Sequence, residues 1–173
     1  TLDRTAPTVS SIALVSASPS NLSSVQYTVT FSASVTSLTA ANFALVVGGG
    51  LGGAPAITAV SGSGTTWTVT ASTGTGNGTL GLNLINSTGV ADAAGNAVSN
   101  TPFTGAVYTL DLAAPTVSSI ALVSASPSNL SSVQYTVTFS ESVTSVTAAN
   151  FALVAGGGLG GAPAITAVSG SGT

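Results

Sequence analysis

The chain has 173 residues, of which only 3% are charged: one arginine, no lysine and four acidic residues. An ordinary domain has about 25% charged residues, so this surface lacks the basic patch that nucleic acids and anionic lipids require. Histidine and cysteine are absent too, which removes the usual general bases, thiol nucleophiles and disulfides. No apolar run approaches the roughly 18 residues of a membrane-spanning helix. We therefore expect no enzyme activity, no nucleic-acid partner and no membrane insertion.

The predicted elements of residues 6–113 are short strands. Runs rich in β-branched residues, alternating with a period of two and bounded by Gly, Pro, Asn and Ser, indicate strands. The clearest run is residues 25–31, in which Val25, Tyr27, Val29 and Phe31 are predicted to face the core. In chain order the predicted strands are residues 7–16, 25–31, 43–47, 56–60, 66–71, 80–84 and 107–110, with one helical turn at residues 39–42.

Seven short strands without a helix of useful length predict an all-β fold, an antiparallel immunoglobulin-like β-sandwich. Trp67 is predicted as a core residue, because large rings are usually buried. The glycine-rich residues 48–53 are predicted as a surface loop, either flexible or tightly turned. They lack the lysine and the following helix of a phosphate-binding loop.

A tandem repeat organises the whole chain. The sequence of residues 1–65 recurs almost unchanged at residues 109–173. The period is therefore 108 residues, about the size of one independently folding domain. We predict residues 1–5 as a linker or the end of a preceding repeat, residues 6–113 as a complete repeat, and residues 114–173 as the first four strands of a partial second repeat. Of the 65 aligned pairs only five differ, and these are Arg4/Leu112, Thr5/Ala113, Ala33/Glu141, Leu38/Val146 and Val47/Ala155.

The partial second repeat is expected to have unpaired strand edges and an open core, which recruit a partner or aggregate. Simple strand exchange between identical chains does not complete it, since each chain carries two first portions and one second portion. We expect residues 114–173 to belong to a longer repetitive chain.

Several motifs resemble the bacterial immunoglobulin-like repeats of very long exported proteins, many of which are adhesins or biofilm matrix components. The resemblance covers the whole 108-residue period and implies an extracellular or cell-surface scaffold without a defined ligand. The motifs that carry it are Tyr135–Thr144 (YTVTFSESVT), Ala148–Phe151 (AANF), Gly89–Asn96 (GVADAAGN), Tyr108–Asp111 (YTLD) and Ala114–Val117 (APTV).

The few acidic residues are expected near the ends of the repeats. In a sandwich of this topology, the connection after the second strand and the one before the last strand lie where the chain enters. Asp3, Asp92 and Asn96 are therefore predicted to converge at the first junction, and Asp111 and Glu141 at the second. Oxygen ligands of this kind suit Ca²⁺, and similar repeats often hold calcium there. The alternative is that Asp92 and Asn96 only build a turn.

These observations favour a structural repeat of a long bacterial extracellular protein, an adhesin stalk or a matrix filament that provides length and cohesion. Its expected partners are further copies of the repeat, in the same or in neighbouring chains. The alternative is a carbohydrate-binding module on a stalk, which binds surface glycans and needs exposed aromatic rings. Ice binding through Thr-x-Thr rows is disfavoured because the regular ladder it needs is missing.

Overall fold

The structure, a computed structural model, describes residues 2–173 and is nearly all β. None of the helices in these residues has the length and hydropathy needed to cross a bilayer. The chain divides into two compact units, with the boundary between Ala113 and Ala114. The strands are β1 (Val9–Leu14), β2 (Ser24–Val35), β3 (Phe43–Gly49), β4 (Ile57–Ser72), β5 (Asn77–Leu84), β6 (Phe103–Asp111), β7 (Val117–Leu122) and β8 (Tyr135–Phe139), and two 3-10 turns lie at Ala40–Asn42 and Ala148–Asn150.

The first unit contains two three-stranded antiparallel sheets, ordered β1-β2-β4 and β3-β5-β6. The alternation predicted for the second strand is confirmed, because Val25, Tyr27, Val29 and Phe31 are all buried and their neighbours are not. Side chains from both sheets form one hydrophobic core. The all-β, antiparallel part of the predicted fold is therefore confirmed, and the arrangement is consistent with a β-sandwich.

Two tyrosines join the sheets through the core. The Tyr27 hydroxyl, on β2, donates a hydrogen bond to the Leu80 carbonyl on β5 (2.6 Å), and Tyr108, on β6, donates to the Gln26 carbonyl on β2 (2.8 Å). The two rings meet edge to face, with centroids 5.2 Å apart. Each buried hydroxyl thus has a partner on the opposite sheet, so the polar atoms cost little to bury.

Strand β4 contains two of the predicted strands. Its first and last residues lie side by side, since Ser72 N–H donates to the Ala56 carbonyl (2.9 Å) and the Thr58 hydroxyl donates to the Thr70 carbonyl (3.2 Å). The strand therefore folds back on itself, and its second arm pairs with β2. Trp67 lies on that arm and is only half-buried at the edge of the core, with its indole N–H donating to the Gly64 carbonyl.

The glycine-rich stretch, residues 48–53, overlaps the end of β3 and packs against a second glycine-rich stretch, residues 74–78. Gly52 and Thr75 exchange two backbone hydrogen bonds of 2.8 and 3.0 Å. A β-carbon on Gly74 would collide with the Gly52 carbonyl, and one on Gly78 would collide with the Gly48 carbonyl. Glycine is required here because two backbones approach closely. The predicted surface loop is therefore wrong for Gly48 and Gly49, which belong to β3 and pair with β5, and only residues 50–53 form the turn.

The second unit, Ala114–Thr173, repeats only part of this architecture. Strands β7 and β8 pair with the register Val117↔Phe139, which is the counterpart of Val9↔Phe31, and the ladder has the same irregularity after its first pair. The counterparts of β3 and of the first arm of β4, residues 151–157 and 164–168, are not strands. Two of the four predicted strands thus form, and the other two do not, because their counterparts in the first unit depend on residues 66–113 for pairing and packing.

Candidate functional site

An open depression of about 400 Å³ brings together the residues predicted for the first junction. Asp3, Asp92 and Ala33 all line it, and Ala33 is at the position where the second copy has Glu141. Asn96 lies beside both acids, since its amide Nδ2 donates to the Asp3 carbonyl (3.3 Å) and to Asp92 Oδ2 (2.9 Å). Asp3, Asp92 and Asn96 therefore do lie close together.

Asp92 uses its carboxylate to build a turn. Its Oδ1 accepts hydrogen bonds from the backbone N–H groups of Ala94 (2.9 Å) and Asn96 (2.8 Å). The hydrogen bonds from the Asn96 side chain and backbone lower the pKa of Asp92, because they stabilise its charged form. This geometry is the turn that the sequence offered as the alternative to a metal site.

The donors at this depression do not fit a calcium ion. Ca²⁺ takes six to eight oxygen ligands. Here the Asp92 carboxylate already accepts three hydrogen bonds, and Asp3 Oδ1 accepts one from Thr5 N–H. Asn96 turns its amide nitrogen, not its oxygen, toward the acids. In the described part of the chain, no three acidic side chains lie close enough together to hold one metal ion. We assign no step in the function to a metal at this depression.

The two residues predicted for the second junction belong to different units. Asp111 ends β6 opposite Asn77, whose side-chain oxygen accepts from the N–H groups of Leu112 and Ala113 at 2.9 Å each. Glu141 follows β8 and is partly exposed. Calcium at that junction stays a prediction.

The first unit presents no aromatic platform for a sugar. Tyr27, Phe31, Phe43 and Tyr108 are buried, and Trp67 is half-buried. Phe103, the sixth aromatic residue of the unit, is half-buried too. Since sugar-binding surfaces need exposed rings, the described surface of this unit does not support a carbohydrate-binding module.

A further set of hydrogen bonds joins the beginning of the first unit to its end, and we call the bonds between residues 7–20 and 99–111 the terminal clamp. At its start, Asn100 makes two hydrogen bonds with the backbone of Val9, one accepted from N–H (2.7 Å) and one donated to the carbonyl (2.9 Å). Ser99 N–H also donates to the Pro7 carbonyl (3.1 Å).

Tyr108 forms the middle of the terminal clamp. Its hydroxyl accepts hydrogen bonds from the N–H groups of Val15 (3.0 Å) and Ser16 (2.9 Å) while it donates to Gln26. One oxygen on the last strand therefore holds the chain just after β1 and the neighbouring strand β2.

The end of the terminal clamp is a parallel bridge between Ser20 and β6. Ser20 N–H donates to the Thr109 carbonyl and Asp111 N–H donates to the Ser20 carbonyl, both at 3.0 Å. Ser18 adds a side-chain bond, accepting from Thr109 N–H at 2.8 Å. Tyr108 was predicted as a residue of the last strand, and Ser20 is part of a sequence typical of a turn, but no pattern predicted that Ser20 or Asn100 contacts the other end of the unit.

Comparison of the chain with protein-family models, with curated proteins and with solved structures finds no match in any of the three.

Proposed function

We propose that the chain is a mechanical repeat module of a long bacterial extracellular protein, an adhesin stalk or a biofilm matrix filament of immunoglobulin-like domains. The observation that carries the proposal is the terminal clamp in a chain whose sequence repeats every 108 residues. A repeat that provides length must resist extension, and in this unit a set of hydrogen bonds links the first and last segments. The chain has only five charged side chains that could take part in catalysis or in binding a charged ligand.

The parallel bridge has the geometry that resists pulling. In an extended polymer, tension enters the unit at its first residues and leaves at its last. Two parallel segments pulled in this way slide along each other, so the Ser20–β6 bonds are loaded together instead of one after another. The Tyr108 bonds to Val15 and Ser16 are loaded at the same time.

Cohesion between neighbouring chains is the second part of the proposal. The outer face of the β3-β5-β6 sheet carries Val46 and Val107, which are 49% and 51% exposed. Gly81 lies between them, because a β-carbon there would approach both side chains. With so little charge on the chain, electrostatic repulsion between such faces is weak, and lateral packing of copies is favoured.

Single-molecule pulling of the full chain, held at its two ends, tests the mechanical proposal. Unfolding of the first unit should release roughly 350 Å of chain in one step, at about 3.3–3.6 Å per residue. Tyr108→Phe should lower the unfolding force without changing this length. Tyr135→Phe is the matched control, since Tyr135 is 52% exposed in the second unit, and it should change neither quantity.

An unfolding force that is the same in the Tyr108→Phe chain and the unaltered chain would show that the terminal clamp does not bear load, and the mechanical proposal would be wrong. Cohesion between chains is tested separately by electron microscopy of the protein, in which we expect bundled or laterally associated filaments.

A further inference from the structure

The second unit exposes an apolar face that the first unit buries. Val117, Ile120, Val133 and Tyr135 are 54%, 59%, 45% and 52% exposed. We call these four residues the open face. Their counterparts Val9, Ile12, Val25 and Tyr27 are 3%, 4%, 1% and 0% exposed. The residue types are identical in the two copies, so only the neighbours differ.

The pairing of β7 with β8 puts Val117, Ile120 and Tyr135 of the open face on one side of the sheet, and Val133 comes just before β8. Ile120 is opposite Val137 and Leu122 is opposite Tyr135, in an antiparallel ladder whose alternate residues share a face. Strand β8 pairs with β7 and has no third strand beside it in the described residues. Its counterpart β2 has the second arm of β4 on that edge, from Thr66 to Ser72. Phe139 N–H donates to the Thr173 carbonyl on this edge (3.0 Å), and the rest of the β8 edge is unpaired in the described residues and lies next to an apolar face.

The first unit identifies what covers this surface. Residues 66–113 supply the second arm of β4, strand β5 and strand β6, which bring Val69, Leu80, Leu82 and Tyr108 into the core. The Tyr27 hydroxyl finds its acceptor there, at Leu80.

The glycine-rich stretch points to the same occupant. In the first unit Gly49 packs against the backbone of Gly78, whereas a β-carbon on its counterpart Gly157 would meet nothing within 4 Å. Residues 156–161 have the same glycines as residues 48–53, and the stretch that contacts those glycines in the first unit, residues 74–78, has no counterpart among residues 114–173.

The differences between the copies leave this surface intact. Of the five substituted pairs, Leu38/Val146 alone is fully buried in the first unit, and it exchanges one aliphatic side chain for another. Val47/Ala155 is at a position that is 46% exposed. A segment that fits the first unit therefore fits the second.

From these observations we infer that the open face and edge of residues 114–173 bind a polypeptide segment with the sequence of residues 66–113. Such a segment adds a strand to β8, covers the open face and gives residues 151–157 a ladder partner, as β5 gives one to β3. The inference stands on the comparison of the two units and does not depend on the mechanical proposal.

The test appends a second copy of residues 66–113 after Thr173 of the full chain. Hydrogen exchange at residues 151–157 should slow by at least about a hundredfold, to the level of residues 43–49, because their amides enter a stable ladder. Nitration of Tyr135, followed by mass spectrometry, should fall to that of buried Tyr27. The matched control carries Asp at the appended equivalents of Leu82 and Leu84 and should protect neither site.

Two outcomes would overturn the inference. One is an extended chain in which residues 151–157 and Tyr135 remain as accessible as before, or are equally protected by the control segment. The other is protection of Tyr135 in the unextended chain that rises with protein concentration, which would mean that two open faces cover each other.

Discussion

Replacing Asn42 by alanine tests how far the packing of residues 66–113 stabilises the first unit. The Asn42 side chain is buried and bonds in two directions. Its Oδ1 accepts from the N–H of Thr39 (2.9 Å) and the hydroxyl of Thr39 (3.0 Å). Its Nδ2 donates to the Asn86 side chain (3.2 Å) and to the Thr88 carbonyl (3.0 Å), both in the connection after β5.

The second copy provides the control for this change. Asn150 makes the same two Oδ1 contacts, with Thr147 at 2.8 and 3.1 Å, but it is exposed and is found without the Nδ2 contacts. Each lost hydrogen bond costs about 1 kcal/mol, and a buried group left unsatisfied costs more. We therefore expect Asn42→Ala to destabilise the first unit by about 3 kcal/mol, which lowers its melting temperature by roughly 12 °C. Asn150→Ala should leave that transition unchanged.

The assay is thermal unfolding followed by the fluorescence of Trp67, which is the only tryptophan and reports on the first unit alone. Asn42→Asp separates the two sets of bonds, because a carboxylate still accepts from Thr39 but cannot donate to Thr88. It should destabilise at least as much as alanine, since its charge faces the Thr88 carbonyl. Equal melting temperatures for Asn42→Ala, Asn150→Ala and the unaltered chain would refute the reasoning.

Three further predictions use the same melt. Burial raises the pKa of the Tyr27 hydroxyl above its ordinary value. Above about pH 10 the unfolded chain loses this proton while the folded chain keeps it, so the free energy of unfolding should be constant below that pH and fall above it. The fall should be shallower in Tyr27→Phe. Ala33→Glu adds a third carboxylate to the depression at Asp3 and should lower the melting temperature slightly without calcium, because like charges repel weakly at an exposed site. We expect no recovery in millimolar calcium, because the Asp92 carboxylate stays engaged in its turn, and recovery would contradict the misfit described for this depression. Gly78→Ala should cost about 2 to 4 kcal/mol, because its β-carbon collides with a backbone carbonyl and opens the paired glycine stretches. Gly156→Ala, where the β-carbon meets open space, should be neutral, and similar losses for both would contradict the packing described.

The strands and their buried faces could be predicted because period-two alternation is a local signal. Val25 to Phe31 alternate cleanly, and each apolar residue of the run is buried as expected. The acidic residues near Ala33 could also be placed, since strand order alone determines which connections share an end of the unit. What the alternation cannot show is which polar side chains hold those connections, so the three hydrogen bonds at Asp92 were visible only in the structure.

Contacts between distant segments were beyond the sequence pattern. Residues 48–53, five glycines and Leu51, look like a loop because glycine favours turns, but their structure depends on packing against a second glycine-rich stretch more than 20 residues later. Trp67 was predicted in the core from its size, yet the fold-back of β4 leaves it at the edge. The two bonds from Tyr108 to the chain after β1 depend on the packing of one sheet on the other, which no local window contains.

The two copies separate local from tertiary causes of structure within one molecule. Residues 43–49 and 151–157 differ only at Val47/Ala155, yet the first is strand β3 and the second is not a strand. By contrast, β7 and β8 form the same ladder as β1 and β2, because each of these strands finds its partner within the shared sequence. Strand formation at residues 43–49 therefore comes from pairing with β5 and not from the local propensity of the sequence. If an appended segment restored the strand at residues 151–157, strand formation there would depend on a ladder partner. The exposed Val47/Ala155 difference would then not be the cause of its absence.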